Sequence, residues 1–336
     1  MPKIALNGLG RIGKLVLREL VDRGLGANIV LLNDLTGTCQ QHALWLEFDS
    51  VQGRWAAAID HDDTNLVVNG HAMRLTHERH LEDLPLQTLG VDLVIDCTGA
   101  FKTRDKLAPY YDAGVQKIVV SAPIKEDGAL NLVYGINHDL YDAKAHDLIT
   151  AASCTTNCLA PPIKVLMAEI GIKHGSMTTI HDVTNTQTIV DRPAKDSRRA
   201  RSALTNLIPT TTGSATAITM IFPDLKGRLN GHAVRVPLLN ASLTDCVFEL
   251  EREVTADEVN ALFKHWADGP LKGILGFEDR PLVSSDYTHD PRSSIIDGPS
   301  TLVVNGTQLK IFAWYDNEWG YTCRLADIVE MVAGSL

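Results

Sequence analysis

Ile4-Ala5-Leu6-Asn7-Gly8-Leu9-Gly10-Arg11-Ile12-Gly13 decides how the first half of this chain folds. Ile4 to Leu6 is a short apolar strand, and glycines follow in the pattern G-x-G-x-x-G. Ile12, Leu15, Val16 and Leu20 then recur at helical spacing, so Lys14 to Arg23 is a helix. Gly8 permits the tight turn, Gly10 lets the backbone approach a pyrophosphate, and Gly13 lets helix and strand pack closely. Ile29-Val30-Leu31-Leu32 is a continuous apolar run of the buried-strand type, and it ends in Asn33-Asp34. An acid at that strand end can accept hydrogen bonds from a ribose diol and would repel a 2′-phosphate. The unit therefore predicts NAD rather than NADP, with the phosphates at the helix N-terminus.

Working outward, strand-like segments stand at Trp55–Ala58, Leu66–Val68, Met73–Leu75, Val91–Asp96, Lys117–Val120, Asn131–Tyr134 and Leu148–Ala151. A helix is expected at Lys106–Ala113. Strands alternating with helices give an α/β, Rossmann-type domain over residues 1–153 with a mostly parallel sheet. Its ligand belongs at the strands' carboxyl ends, where the glycine turn, Asp34, Thr98-Gly99, Ser121 and Cys154 all fall.

Ala151-Ala152-Ser153-Cys154-Thr155-Thr156-Asn157-Cys158 closes that domain. Leu159 to Ile170 beyond it reads as an amphipathic helix. A thiol near a helix N-terminus meets unpaired N–H groups and the positive dipole end, which favour the thiolate. A buried structural cysteine with a polar cap is the plainer alternative. Farther on, Ser176–His181, His232–Pro237, Ser242–Glu251 and Leu309–Trp314 alternate like strands with few crossovers. They predict a second, α+β domain over residues 154–317 with a mixed or antiparallel sheet. Asp182 to Leu207 is a long loop carrying Arg192, Arg198, Arg199 and Arg201, and so long a loop is normally functional. Thr210-Thr211-Thr212-Gly213-Ser214 precedes a helical run, Ala215–Ile221, and makes a second plausible anion site. Residues 318–336 form a terminal helix expected to pack on the first domain.

A net charge of −10 argues against nucleic acid or an anionic membrane as the main partner. No run approaches the roughly 20 apolar residues that a membrane span needs. Six cysteines, scattered except for Cys154 and Cys158, form neither a disulfide framework nor a zinc spacing, so no metal is expected. No leader peptide is visible, and the cytoplasm is the expected compartment.

Asn7-Gly8-x-Gly10-Arg11-Ile12-Gly13, Asn33-Asp34, Ser153-Cys154-Thr155-Thr156-Asn157-Cys158-Leu159-Ala160-Pro161, Pro209-Thr210-Thr211-Thr212-Gly213 and Trp314-Tyr315-Asp316-Asn317-Glu318-Trp319-Gly320-Tyr321 resemble phosphorylating glyceraldehyde-3-phosphate dehydrogenase. The resemblance runs from residue 2 to the C-terminus. It implies Cys154 as nucleophile and His181 as its base, and Asn317 orienting the nicotinamide carboxamide. It implies Gly8, Gly10, Arg11, Ile12, Asp34, Arg79 and Ser121 as further NAD contacts. Thr184, Thr186 and Arg235 would hold the substrate's phosphate; Ser153, Thr155, Arg199, Thr212 and Gly213 would hold the attacking inorganic phosphate. It also implies a homotetramer, with the loop after His181 buried between subunits.

The usual His-Ala-Tyr-Thr-Ala-Thr-Gln of that family reads His181-Asp182-Val183-Thr184-Asn185-Thr186-Gln187 here, and Val-Pro-Thr-Pro-Asn-Val-Ser reads Val236-Pro237-Leu238-Leu239-Asn240-Ala241-Ser242. Asp34 to Gln41 is also atypical, and Gln52 stands where His is common. These departures resemble the branch encoded with arsenic-resistance transporters. There arsenate replaces phosphate and the product, 1-arseno-3-phosphoglycerate, is exported. Ordinary central-carbon duty, an erythrose-4-phosphate dehydrogenase, and a cysteine redox sensor or binding protein on the same fold are the alternatives.

Overall fold

The computed structural model describes residues 2–336, apart from the side chains of Ala215 and Thr216; Met1 lies outside the described residues. The chain divides into two compact units after Ser153 and again after Tyr321. The first takes the residues through Ser153 and Thr322–Leu336, the second Cys154–Tyr321.

In the first unit, β1 (Ile4–Asn7) leads into α1 (Arg11–Asp22), then β2 (Ile29–Asn33) and α2 (Cys39–Glu47). A small ribbon, β3 (Phe48–Asp49) with β4 (Gly53–Arg54), precedes β5 (Ile59–His61), β6 (Asn65–Val68) and β7 (His71–Thr76). α3 (Leu86–Leu89), β8 (Leu93–Asp96), α4 (Arg104–Asp112), β9 (Lys117–Val120), β10 (Ala129–Asn131) and β11 (Leu148–Thr150) complete it. The main sheet runs β10-β11-β9-β8-β1-β2-β7-β6-β5. Neighbours are parallel from β10 to β7, and the pairs β7–β6 and β6–β5 are antiparallel, so β6 alone runs against the rest. The central strands β1, β8 and β9 are buried along their whole length, with three apolar residues in each and Asn7, Asp96 and Lys117 buried at their ends. Arg23, just after α1, pairs with Asp327 (2.7 Å) and Glu330 (2.6 Å) near the C-terminus.

The second unit begins with α5 (Cys154–Glu169) and β12 (Ile172–His181). β13 (Ile208–Thr211), α6 (Ser214–Ile221), β14 (Leu229–Arg235), β15 (Ser242–Leu250) and α7 (Ala256–Asp268) follow. β16 (Leu275–Glu278), β17 (Ser294–Asp297), β18 (Leu302–Val304) and β19 (Gln308–Tyr315) close its sheet, and α8 (Trp319–Ala333) leaves it. The order is β13-β14-β12-β15-β19-β17-β16, with β18 on β19. β12 and β14 are parallel, as are β16 and β17, and the remaining pairs are antiparallel, so the sheet is mixed. Along β15, Ser242, Thr244, Cys246, Phe248 and Leu250 alternate inward with period two.

Three local expectations change. Trp55–Ala58 is not a strand: the Trp55 indole is buried and donates to the Asp22 carboxylate (3.0 Å), which fixes the segment without a ladder. β10 stops at Asn131, whose side chain bonds the Ile124 backbone at 2.8 Å and turns the chain. α5 starts at Cys154, and Thr155 to Ile163 are buried without interruption. It is not amphipathic, because it lies on one face of the sheet with α6 and α7 also against it.

Candidate active site

Ala152 has φ +53°, in the left-handed region that an L-residue adopts only at a cost of about 1 kcal/mol. It turns the chain from β11 so that Cys154 becomes the first residue of α5. Across the second unit, β12 brings Met177, Thr179 and His181 to one buried face by its two-residue period. The result is a Cys154 Sγ to His181 Nε2 distance of 3.7 Å, within hydrogen-bond reach for sulfur. Burial alone would lower the imidazole pKa. Hydrogen bonds to Asp182 and Cys154 outweigh it and raise the value to about 9.

Tyr315, at the end of β19, fastens this arrangement. Its hydroxyl lies 2.9 Å from both the Thr155 and the Thr179 hydroxyls, and its ring meets His181 edge-on at 6.1 Å. The Thr155 side chain is therefore turned inward, and what it can present to an anion is its backbone N–H at the helix start. Ser153 is half-buried just before the helix. Cys158 is fully buried against Thr244 and Ser294, and burial pushes its thiol up to about 12, which suits packing rather than reaction.

The register of β12 and β14 sets His181 beside Arg235, whose Nη1 donates to the Asp182 carbonyl at 3.0 Å. Thr184 and Thr186 join hydroxyls at 2.9 Å, and Thr184 also meets Gln187. Arg199 donates to Thr210 rather than Thr212, while Thr212 caps the Ser214 N–H beside the exposed Gly213. Thr186 and Arg199 line one cavity of about 720 Å3 with Lys195 and Thr211. One residue from each phosphate set of the sequence thus lines this recess, with Asp196 beside them. Asn317 is buried, and its carbonyl accepts from Ser242 at 3.2 Å.

The first unit has its own cavity, about 580 Å3, lined by Gly8, Asp34, Leu35, Arg79, Thr98 and Phe101 among others. Asp34 is fixed by the Leu9 N–H (2.8 Å) and the Thr36 N–H (3.2 Å). Arg11 turns its guanidinium to Asp49, so what it brings to the helix start is its backbone; Ile12 is half-buried behind it. Ser121 follows β9, its N–H on the Asp96 carbonyl. A Cβ at Gly13 would stand 1.8 Å from the Gly8 carbonyl oxygen, whereas at Gly10 it would meet nothing within 4 Å. Helix and strand can approach only through glycine, and the approach to the N-terminus of α1 stays open. With no acid in its first turn and no side-chain cap, that terminus suits a pyrophosphate.

Residues 2–104 match the glyceraldehyde 3-phosphate dehydrogenase NAD-binding domain, and residues 153–317 match the same enzyme's C-terminal domain. The chain is 54% identical to glyceraldehyde-3-phosphate dehydrogenase 3 of Nostoc sp. over 99% of both chains. It is 48% identical to glyceraldehyde-3-phosphate dehydrogenase 1 of Bacillus subtilis and 47% to the glyceraldehyde-3-phosphate dehydrogenase of Geobacillus stearothermophilus, each over 98% of both chains. The chain belongs to the glyceraldehyde-3-phosphate dehydrogenase family.

As a glyceraldehyde-3-phosphate dehydrogenase family member it is an NAD-dependent oxidoreductase, built as an NAD-binding Rossmann domain and a mixed-sheet domain. No helix among the described residues is long and apolar enough to cross a membrane. Sequence reasoning passed over Tyr315, Ser242 and Lys195 and took Asp182 only as a departure. Ser242 and Tyr315 are register partners on β15 and β19, so the strand pattern held a signal for both.

Proposed function

We propose that the chain oxidises glyceraldehyde 3-phosphate with NAD and phosphorylates the product through covalent attachment to Cys154. The observation that carries this is the Cys154–His181 contact at the start of α5, beside Arg235. The thiolate adds to the aldehyde carbon and forms a thiohemiacetal. NAD, when bound, supplies the hydride acceptor. His181 takes the hydroxyl proton as the carbon loses hydride, leaving a thioester. An oxygen of inorganic phosphate then attacks the thioester carbon, the C–S bond breaks, and Cys154 departs as thiolate with the acyl phosphate, 1,3-bisphosphoglycerate, released. Arg235, Thr184 and Thr186 hold the substrate's phosphate; Arg199, Thr212, Gly213, Ser153 and the backbone of Thr155 hold the attacking oxyanion. Asn317 orients the nicotinamide carboxamide, and the glycine turn with Asp34, Arg79 and Ser121 holds the rest of the dinucleotide.

Arsenate in place of phosphate, giving 1-arseno-3-phosphoglycerate, is the second reading. It is favoured by the altered residues meeting one another beside the base, where the Val183 N–H donates to the Leu238 carbonyl at 3.0 Å. A homotetramer is supported by Ile189, Val190, Leu204 and Leu207, apolar and 64–73% exposed in the loop after His181. Six free thiols support a reducing, cytoplasmic setting. Phosphate and arsenate titrations of NADH production from glyceraldehyde 3-phosphate test both readings. Turnover with neither anion refutes the dehydrogenase assignment to these residues, and a clear preference for phosphate removes the arsenate reading.

A further inference from the structure

Asp182 follows His181, the last residue of β12, and is 1% exposed. Its Oδ1 lies 2.7 Å from His181 Nδ1 and 3.2 Å from Ser242 Oγ, and its own N–H donates to the same Ser242 oxygen at 3.2 Å. Ser242 Oγ also reaches Asn317 Oδ1 at 3.2 Å. The second carboxylate oxygen, Oδ2, is buried with no hydrogen-bond partner. A carboxylate so placed is strongly disfavoured unless a cation balances it. Its one ion pair among the described residues is with His181.

His181 Nδ1 has three close neighbours: Asp182 Oδ1, the Asp182 carbonyl oxygen at 2.9 Å and Arg235 Nη1 at 2.6 Å. A guanidinium only donates, so a bare Nδ1 can accept from Arg235 but leaves Asp182 facing a lone pair. A protonated Nδ1 donates to the Asp182 carboxylate, the nearer of its two Asp182 acceptors, and Arg235 keeps the Asp182 carbonyl. The second arrangement satisfies the buried charge and the first does not. It also matches the state needed for a thiolate: Cys154 passes its proton to Nε2 while Nδ1 keeps its own.

We propose that Asp182 is a positioning residue that holds the Nδ1–H of His181, stabilises the imidazolium, and joins Cys154, His181 and Asp182 in one relay. Ser242 ties that relay to Asn317. The relay rests on Cys154 being the nucleophile proposed above. The groups facing His181 are Cys154 from α5, Asp182 from the loop just after β12, Arg235 from β14 and the Tyr315 ring from β19; Arg199 acts on Arg235. Asp182 supplies the negative charge that offsets Arg235. The raised imidazole value, about 9, agrees with this, because the Asp182 hydrogen bond leads the contributions that oppose burial.

The test is histidine nitrogen NMR of the whole protein with pH, beside the rate of Cys154 alkylation. In the wild type, both His181 nitrogens should carry protons at neutral pH and titrate together with Cys154 as a pair. Asp182→Asn keeps shape and an acceptor but removes charge. It should lower the His181 midpoint by about one to three units and slow alkylation at neutral pH roughly tenfold or more. A wild-type Nδ1 that is unprotonated at neutral pH overturns the relay, whether or not the variant folds. So does an Asp182→Asn titration that coincides with wild type in a protein of normal melting temperature. Either result leaves the nucleophile assignment standing, because that assignment is tested separately, by turnover of Cys154→Ser or an acyl adduct on another residue.

Discussion

His181 and Arg235 are register partners on adjacent parallel strands, and their side chains meet with Nδ1 2.6 Å from Nη1. Two basic groups this close share the Asp182 carboxylate, so a further anion is favoured there. Burial also lowers the Arg235 pKa, so charge there is held under strain. A substrate phosphate is the partner that would relieve it. Arg235→Ala should therefore lower kcat/KM for glyceraldehyde 3-phosphate by about 2–5 kcal/mol in transition-state terms and affect unphosphorylated glyceraldehyde far less. Equal losses on the two aldehydes, measured side by side, would show that Arg235 does not hold the phosphate.

Gly10 and Gly13 should fail in different ways. A Cβ at Gly13 collides with the Gly8 carbonyl oxygen, while one at Gly10 enters open space. Gly13→Ala should cost about 1–3 kcal/mol of stability or more, because α1 must move off β1. Gly10→Ala should melt normally yet bind NAD more weakly, since its methyl stands where a pyrophosphate approaches the helix. Melting curves and NAD titrations of both variants check the pair. Unchanged NAD affinity in the Gly10→Ala variant would move the pyrophosphate elsewhere.

Asp96, at the end of β8, is wholly buried. Burial pushes its carboxyl pKa up against the hydrogen bonds from Thr98 (2.7 Å) and Tyr110 (2.9 Å). The folded state thus holds this proton more tightly than the unfolded chain, where Asp titrates near ~3.9. Its favourable contribution is present below that value and is lost as pH rises through the folded one. Asp96→Asn should raise Tm at neutral pH, with the gain shrinking toward about pH 4. A variant less stable than wild type at pH 7 would mean the carboxylate is needed in charged form.

Tyr315 should matter to both fold and rate. Removing its hydroxyl leaves those of Thr155 and Thr179 buried without it, a loss of about 1–3 kcal/mol. Tyr315→Phe should melt lower and turn over more slowly, because the start of α5 is no longer tied to β12. Adding Thr179→Val should change stability by less than its own single effect, since the two share one bond. Full additivity in the double mutant would argue against the tie.

Much of the fold is legible from period and punctuation. The glycine turn, the apolar runs of β2, β8 and β9, and the alternation of β12, β15 and β19 each state their element locally. β13, β16 and β17 are short and derive their strand character from neighbours, which no local window shows. α5 begins ahead of the helical run Leu159–Ile170 because Thr155, Thr156 and Asn157, residue types that cap helices and bind anions, lie inside it, where packing against the sheet buries all three. Cys154 and His181 stood out through their motifs. Asp182 did not, because a carboxylate in a loop looks like surface until the register of β12, β14 and β15 encloses it.

The central claim is that Cys154 carries the acyl group. The direct measurement mixes enzyme, NAD and glyceraldehyde 3-phosphate rapidly without phosphate or arsenate, following NADH and the intact mass of the protein. The account predicts a burst of about one NADH per chain, a mass gain of one 3-phosphoglyceroyl group, and its loss when phosphate is added. The Cys154→Ser variant should show neither burst nor adduct while still binding NAD. A burst of wild-type size in that variant, or an adduct on another residue, would contradict the account.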